Sequence, residues 1–327
     1  MRYSVLTPVE RRRRRRPRWH RPALVLVVAA VLAGGAYGGV RHFDAAHPRP
    51  AHALLPPPKP APRRVAVARP TTVPLLTSQA VRRSGPVVTA PSAVLVDAGT
   101  GAVLWQKRPH RERPIASTTK IMTAVVVLER LRLDRIVRVR RGVPRTPLVR
   151  EGLRVGERVP AWKLLDGLLI YSGNDDALAL AEATGGSRRA FLKLMNEKAR
   201  QLGLRDSHFS SVSGVIDRGN YSSAWDLAAL ARYAMRDPRF RRVVRTPIAH
   251  VPWSKPTYSK VYVNKNLLLR TYPGADGVKT GWTTLAGHCL VASAHRHGVH
   301  LITVVLHAAD PYGDARRLLN FGFALRR

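Results

Sequence analysis

The pattern of hydrophobic and polar positions divides the chain into an irregular first part and a regular second part. From Ser92 onward, short strand-like runs and longer helical runs alternate and are separated by turn residues. The runs at 93–97 and 102–107 are joined by Ala-Gly-Thr-Gly, which predicts a β-hairpin. Further strands are predicted at three apolar runs later in the chain: 267–269, 288–294 and 300–306.

Helices are predicted between these strands. One helix should include Ser117 and run to about Arg130, and a last helix is expected over 314–321. The region between them is mainly helical, with apolar runs at 164–170, 177–183, 191–202 and 227–235. Strands at both ends with helices between them predict an α+β domain with a mostly antiparallel sheet.

The first 91 residues have a different composition. Residues 1–21 contain an unbroken arginine run, and the uncharged apolar segment 22–40 has about the length needed to span a membrane. This pattern predicts a basic cytoplasmic segment and a signal anchor, with the rest of the chain outside the cytoplasm. Residues 41–91, rich in proline, alanine and arginine, predict an extended linker, so 92–327 is the expected catalytic domain. The Ala-His-Ala triplet at 51–53 leaves cleavage and secretion open.

Charge and the metal-binding residue types narrow the choice of partners. The chain has 56 lysines and arginines against 20 acidic residues, which favours anionic partners such as lipid headgroups or anionic wall polymers. The apolar segment beside the arginine run argues against a nucleic-acid arm, so no nucleic acid is expected. The single cysteine excludes an intrachain disulfide, and the twelve histidines form no HExxH-type pair. We therefore expect no metal and no cofactor.

A serine and a lysine stand three residues apart at the start of the first predicted helix. Positions i and i+3 share one helix face, so the amine of Lys120 can lie beside the hydroxyl of Ser117. A neutral lysine there can take the serine proton and produce a nucleophile for acyl transfer without a histidine. Lysine is neutral only if burial and a nearby positive charge lower its pKa, and Lys279 is a candidate for that charge. The alternative interpretation of Ser117 is a helix cap.

Two more short motifs follow in the chain. Ser172-Gly173-Asn174 lies in a loop between two helical runs, where Ser172 can pass a proton to a leaving amine and Asn174 can hold a substrate amide or the lysine. Lys279-Thr280-Gly281 comes just before a strand-like run. Taken singly, each motif is also consistent with a polar turn.

The third motif supplies candidates for binding a substrate. Lys279, Thr280 and Thr283 can bind a carboxylate, with Gly281 between them. The backbone N–H of Trp282, on a predicted edge strand, can join that of Ser117 in an oxyanion hole.

The three motifs, in this order, are those of class A β-lactamases and penicillin-binding proteins. From about residue 92 to 323 the chain resembles the D-alanyl-D-alanine carboxypeptidases, the low-molecular-weight penicillin-binding proteins. The stretches that carry the resemblance are Val96-Asp97-Ala98-Gly99-Thr100-Gly101, Pro114-Ile115-Ala116-Ser117-Thr118-Thr119-Lys120, Ser172-Gly173-Asn174-Asp175, Asn264-Lys265-Asn266, Asp276-Gly277-Val278-Lys279-Thr280-Gly281 and Leu318-Leu319-Asn320-Phe321-Gly322-Phe323.

The resemblance implies a β-lactamase/DD-peptidase-like fold, in which an antiparallel sheet is flanked by helices and joined by a helical subdomain. It also implies removal of the terminal D-alanine from peptidoglycan stem peptides through an acyl-enzyme on Ser117. β-Lactams would then acylate the same serine as covalent inhibitors.

Several alternatives stay open beside this resemblance. The chain has no Glu-x-x-Leu-Asn stretch after Ser172, which argues against a class A β-lactamase. A DD-endopeptidase that cuts peptide crosslinks would use the same residues. The loop at 209–215 and Pro311 depart from the family pattern, and Pro311 stands where many members have a carboxylate-binding arginine. A catalytically weak penicillin-sensing or wall-binding protein is therefore a third hypothesis.

Overall fold

The structure is a computed structural model that describes residues 76, 85–147, 149–215, 219–253 and 259–326. The predicted cytoplasmic segment and signal anchor lie outside the described residues, as does most of the predicted linker. Among the residues that are described, no helix has both the length and the apolar character needed to cross a membrane.

Strands and helices follow one another in the order expected of an α+β domain. The strands of the described residues are β1 (Ser92–Asp97), β2 (Val103–Lys107), β3 (Arg113–Pro114), β4 (Ile136–Arg138), β5 (Arg158–Pro160), β6 (Tyr221–Ser222), β7 (Ile248–Val251), β8 (Lys260–Val263), β9 (Ala275–Thr283), β10 (Gly287–Arg296) and β11 (Val299–Ala308). The α-helices are α1 (Lys120–Arg130), α2 (Ala161–Asp166), α3 (Asn174–Gly185), α4 (Arg188–Gln201), α5 (Ala224–Ala234), α6 (Pro238–Val244), α7 (Leu268–Thr271) and α8 (Pro311–Ala324).

A five-stranded antiparallel sheet forms the centre, in the order β2-β1-β11-β10-β9. All six residues of β1 are buried, because helices cover both faces of the sheet. Side chains alternate between the faces with the two-residue period of a strand. Val94 and Val96 belong to the larger core with α1 and α5, whereas Leu95 packs with Leu318 and Leu319 of α8. This arrangement leaves β9 as an edge strand.

One sequence-based assignment of a strand was wrong. The run at 267–269 is not a strand, because the Asn266 side chain accepts a hydrogen bond from the Leu268 N–H and starts the one-turn helix α7 instead. The third motif precedes the predicted strand at 288–294, which is β10, and itself lies inside β9. The hairpin of β1 and β2 and the strands β10 and β11 agree with the predictions.

The folded unit extends upstream of Ser92. Within 85–91, Val88 and Ala90 are buried, although composition assigned this segment to the linker. Asp314 of α8 fixes the segment by accepting hydrogen bonds from the N–H groups of Thr89 and Ala90 at 2.9 and 2.8 Å and from the Thr89 hydroxyl at 2.7 Å. A buried carboxylate therefore ties the start of the sheet to the last helix.

We expect Asp314→Ala to lower the free energy of unfolding by about 3 kcal/mol, because the N–H groups of Thr89 and of the buried Ala90 lose a charged acceptor. Asp310→Ala is the control, since Asp310 caps the exposed start of α8 through the Gly313 N–H at 2.8 Å and should cost about 1 kcal/mol. Urea unfolding followed by tryptophan fluorescence measures both. Equal losses in the two variants would contradict this role of Asp314.

Candidate active site

Ser117 lies on a strained turn at the start of α1. Residues Ala116–Thr119 form a 3-10 turn, and Ala116 has a φ of +47°, a left-handed conformation that is uncommon for alanine. The Thr119 hydroxyl donates to the Ala116 carbonyl at 2.8 Å. Gly214, with a φ of +80°, packs so closely that a Cβ there would lie 1.8 Å from the Ala116 oxygen. The surrounding chain thus holds the turn in a conformation that it would not adopt alone.

The Lys120 amine makes three contacts that together orient its lone pair. Its Nζ lies 2.9 Å from Ser117 Oγ, 2.7 Å from Asn174 Oδ1 and 3.0 Å from the Ser213 carbonyl oxygen. A neutral amine has two N–H groups and one lone pair, and the amide and carbonyl oxygens can only accept. Both N–H groups are therefore directed to Asn174 and Ser213. The lone pair is left to accept the proton of Ser117.

Burial and neighbouring charges favour this neutral form. Lys120 is fully buried. Burial lowers the pKa of Lys120 well below its ordinary value of 10.5, and the positive charges of Lys279 and Lys265 lower it further. Burial, with a smaller contribution from Lys265, also lowers the pKa of Lys279 to about 7. The site therefore holds several lysines that compete for protons.

The second motif connects the π-helical turn Gly167–Tyr171 to α3. Ser172 has a left-handed conformation with a φ of +74° and is almost fully buried. Asn174 is oriented at both ends, because its Nδ2 donates to the Pro147 carbonyl at 3.0 Å while its Oδ1 accepts from Lys120. The side chain of Asn174 is consequently fixed as an acceptor for the lysine.

The third motif brings β9 against the nucleophile turn. A Cβ on Gly281 would lie 2.9 Å from the Ile115 carbonyl oxygen and 3.0 Å from the Ser117 nitrogen. Only glycine permits this approach of the two backbones. An edge strand such as β9 presents N–H groups on the side away from its neighbour. Trp282 follows Gly281 on this strand, so its N–H is a candidate partner for the Ser117 N–H in an oxyanion hole.

A cavity of about 280 Å³ is lined by most of the residues that the sequence predicts for the active site. Its lining includes the predicted Ser117, Ser172, Thr280, Gly281 and Trp282, together with residues that the motifs did not indicate: Val149, Lys265, His288, Cys289, Leu290, Pro311 and Tyr312. The side chains of Lys120, Asn174 and Lys279 are buried. Thr283 is outside the lining, and its hydroxyl accepts a hydrogen bond from the Ala286 N–H in the turn after β9.

A larger cleft of about 650 Å³ lies elsewhere, between the β4–β5 hairpin and α3. Its walls carry four arginines but neither a serine nor a lysine. The smaller cavity, which contains the candidate nucleophile, is therefore the candidate active site.

The arrangement of a serine, a buried lysine and an asparagine beside an edge strand can be compared with known proteins. The model of the D-alanyl-D-alanine carboxypeptidases, peptidase family S11, matches residues 79–310. The chain belongs to this family.

Relatives and solved structures agree with this assignment. The D-alanyl-D-alanine carboxypeptidase DacF of Bacillus subtilis is 35% identical over 245 residues, which are 72% of this chain and 62% of DacF. The D-alanyl-D-alanine endopeptidase of Escherichia coli is 34% identical, with 74% of this chain and 80% of the relative covered. The crystal structure of the Streptomyces K15 DD-transpeptidase is 36% identical and covers 74% of this chain and 99% of its own, with a TM-score of 0.70. The predicted DD-peptidase-like fold is confirmed.

Three groups at the candidate site of this family S11 chain are not predicted by the three short motifs. The Ser213 carbonyl could not be identified from the sequence, because every residue has a backbone oxygen. Lys265 lies in the Asn264-Lys265-Asn266 stretch, which is one of those that carry the family resemblance. Nothing in that stretch predicts that its charge lowers the pKa values of Lys120 and Lys279. Tyr312 reaches the site because its hydroxyl donates to the Lys265 carbonyl at 2.7 Å.

We expect Gly281→Ala to slow acylation by a penicillin about 10- to 100-fold, because the new methyl group must displace either β9 or the Ser117 turn. The rate of labelling by a fluorescent penicillin measures this effect. Gly298→Ala serves as a control, since nothing lies within 4 Å of a Cβ there, although its φ of +78° will cost some stability. A wild-type labelling rate for Gly281→Ala would contradict the close approach of β9.

Proposed function

We propose that this chain is a serine D-Ala-D-Ala carboxypeptidase that trims the terminal D-alanine of peptidoglycan stem peptides. The observation that carries the proposal is the placement of Lys120 Nζ between Ser117 Oγ and two oxygens that can only accept. The same nucleophile would open a β-lactam ring and be trapped as an acyl-enzyme.

The first half of the reaction forms an ester on Ser117. Lys120 takes the hydroxyl proton while Oγ attacks the carbonyl carbon of the penultimate D-alanine. The N–H groups of Ser117 and Trp282 stabilise the oxyanion. Ser172 relays the proton from Lys120 to the amine of the terminal D-alanine as the C–N bond breaks, which leaves Lys120 neutral for the second half.

In the second half, a water molecule attacks the ester and the free stem peptide leaves. Lys120 is again the base that accepts the proton of the nucleophile. Ser117 recovers its proton when the C–O bond breaks. Each turnover thus consumes one water and releases one D-alanine.

The carboxylate of the substrate needs positive charge near the third motif. Lys279 and Thr280 are the proposed ligands, and Lys265 adds charge on the same side of the cavity. Pro311 lines the cavity where many family members carry an arginine. We therefore assign binding of the substrate carboxylate to Lys279, with added positive charge from Lys265.

This assignment predicts a bell-shaped pH profile of kcat/KM. Activity should rise as Lys120 loses its proton and fall above about pH 7, where Lys279 becomes neutral. Lys279→Arg keeps its charge at every pH in this range, so its alkaline limb should shift upward by at least about one pH unit. Initial rates of D-alanine release at different pH values measure both limbs. An unchanged alkaline limb in Lys279→Arg would contradict this role of Lys279.

The direct test incubates the full-length protein in detergent with a diacetylated tripeptide that ends in D-Ala-D-Ala, and measures free D-alanine. A crosslinked muropeptide dimer is tested in parallel, because an E. coli relative is named as an endopeptidase. Release of D-alanine supports the carboxypeptidase. Cleavage of the dimer alone would favour the endopeptidase, and penicillin labelling without any hydrolysis would favour a sensor.

The proposed location is the outer face of the cell membrane. Its support is the arginine run before the apolar segment at 22–40, which favours an anchor with the following residues outside the cytoplasm. Fractionation of cells, followed by protease treatment of spheroplasts, would test it. A full-length protein that stays in the soluble cytoplasmic fraction would contradict this location.

A further inference from the structure

Two buried carboxyl groups face each other behind the second motif. The side chains of Glu151 and Asp176 are 1% and 0% exposed. A Cβ on Gly167 would lie 2.6 Å from both Glu151 Oε2 and Asp176 Oδ2, so the two oxygens border the same small space. The two carboxyl groups are therefore neighbours in the fold. A hydrogen bond between two carboxyl groups needs a proton on one of them.

The other contacts of these oxygens also point to a single proton. Glu151 Oε1 accepts from Lys260 Nζ at 2.8 Å and from the Tyr262 hydroxyl. Glu151 Oε2 and both Asp176 oxygens have no donor other than the shared proton among the described residues. Lys260 balances one negative charge, and a second charge on Asp176 would be buried without a cation beside it. One carboxylate and one carboxylic acid therefore satisfy the pair.

The remaining charged groups around the pair leave this balance unchanged. The Asp175 carboxylate is occupied by the N–H groups of residues 151–153 at 2.8, 2.8 and 3.1 Å. Asp166, at the end of α2, lies near Arg242, and burial raises its pKa to about 6. Burial raises the pKa of Asp176 well above its ordinary value, and the charge of Glu151 raises it further. Burial also raises the pKa of Tyr262, so its hydroxyl stays a donor.

The pair connects three segments that lie around the cavity: the start of α3, the segment around Val149, and β8. Asp176 is in the first turn of α3, two residues after Asn174. Glu151 follows Val149, which lines the cavity and accepts a hydrogen bond from the Asn174 N–H at 2.8 Å. Through Lys260 and Tyr262, Glu151 also holds β8, which leads to Lys265 in the cavity lining. Movement of Glu151 would therefore displace groups on both sides of Ser172.

We propose that Glu151 and Asp176 share one proton, and that this carboxylic acid–carboxylate pair is a positioning device that holds Asn174, Val149 and Lys265 around the nucleophile. Neither residue is part of the cavity lining. The shared proton itself follows from the geometry of the pair, whereas the effect on catalysis rests on the proposed function.

The first test concerns the proton and needs no activity. Asp176→Asn keeps the shape and a donor toward Glu151 but has no proton to lose. In the wild type the folded state keeps a proton that the unfolded Asp releases near pH 4, so stability must decline as the pH rises toward the folded pKa. Urea unfolding of the full-length protein between about pH 4.5 and 8.5 should show a folding constant that falls with rising pH by up to about tenfold per pH unit, relative to Asp176→Asn.

Asp226→Asn is the matched control for the first test. Asp226 is another buried carboxyl group, and burial raises its pKa to about 6, so its titration is nearly complete above about pH 7. Above about pH 7, the plot of stability against pH for Asp226→Asn should be parallel to that of the wild type. Parallel curves for the wild type and Asp176→Asn would overturn the shared proton.

The second test concerns positioning. At about pH 7, we expect Asp176→Asn to be acylated by a fluorescent penicillin within about threefold of the wild-type rate, because its amide preserves the contact with Glu151. Glu151→Ala removes the link to Lys260 and Tyr262 and should slow acylation at least about tenfold in protein that circular dichroism shows to be folded. Folded Glu151→Ala that acylates at the wild-type rate would overturn the positioning role. Failure of D-alanine release in every variant, with acylation intact, would instead count against the proposed function alone.

Discussion

Ser117→Ala is expected to lose at least about 10⁴-fold in D-alanine release and to lose penicillin labelling completely. Removal of the nucleophile of a serine peptidase leaves only the rate enhancement from binding and the oxyanion hole. In this chain the turn that carries Ser117 is held by the Thr119 hydroxyl and by the close approach of Gly214, neither of which involves the Ser117 side chain, so alanine should leave the turn intact. The loss would then report the missing hydroxyl rather than a collapsed site.

A serine elsewhere in the domain provides the control. Ser187→Ala removes the side-chain cap of α4, where the hydroxyl accepts from the Ala190 N–H at 3.1 Å. It should cost about 1 kcal/mol of stability and leave the rate of D-alanine release unchanged. Equal release by wild-type protein and Ser117→Ala would refute the proposed mechanism.

Lys120→Arg is expected to slow acylation of Ser117 by about 10³-fold or more. Arginine keeps its positive charge at every accessible pH, so it cannot accept the serine proton. It also has no room, because Lys120 is fully buried and its Nζ already contacts three oxygens. General base catalysis is worth about 10²–10⁴ in rate, and the loss of preorganised geometry adds to that.

Stopped-flow measurement of the acylation rate with a chromogenic cephalosporin tests this variant. Lys198→Arg is the control, because Lys198 forms an ion pair with Glu129 at 2.7 Å and arginine can replace it there. Thermal unfolding checks that both variants are folded. Acylation of Lys120→Arg within about tenfold of the wild-type rate would exclude a neutral lysine as the base.

The sequence predicts local geometry well where one spacing determines it. The three-residue separation of Ser117 and Lys120 does place Nζ and Oγ at hydrogen-bond distance, and the glycine of the third motif does lie on a strand that approaches the turn. Spacing could not reveal contacts between residues far apart in the chain. The Ser213 carbonyl lies 93 residues from Lys120, and Glu151 meets Tyr262 across 111 residues.

The departures from the family pattern have different structural consequences. The altered loop at 209–215 still provides the Ser213 carbonyl to Lys120 and the close contact of Gly214 with Ala116. Its sequence difference therefore gives little support to a catalytically weak protein. Pro311 occupies the first turn of α8 at the cavity, where a proline fits because no N–H is needed. This position of Pro311 is consistent with the proposal that Lys279 and Lys265 supply the positive charge for the carboxylate.

The central claim is that Ser117 becomes acylated because Lys120 is a neutral base. Peptide mapping by mass spectrometry tests it most directly, after the full-length protein has reacted with benzylpenicillin for a time much shorter than the turnover of the adduct. The penicilloyl mass is expected only on the peptide that contains Ser117, and it should fail to appear in the same time with Lys120→Arg. A penicilloyl group on Ser172 or another residue, or equal labelling of Ser117 in Lys120→Arg, would contradict it.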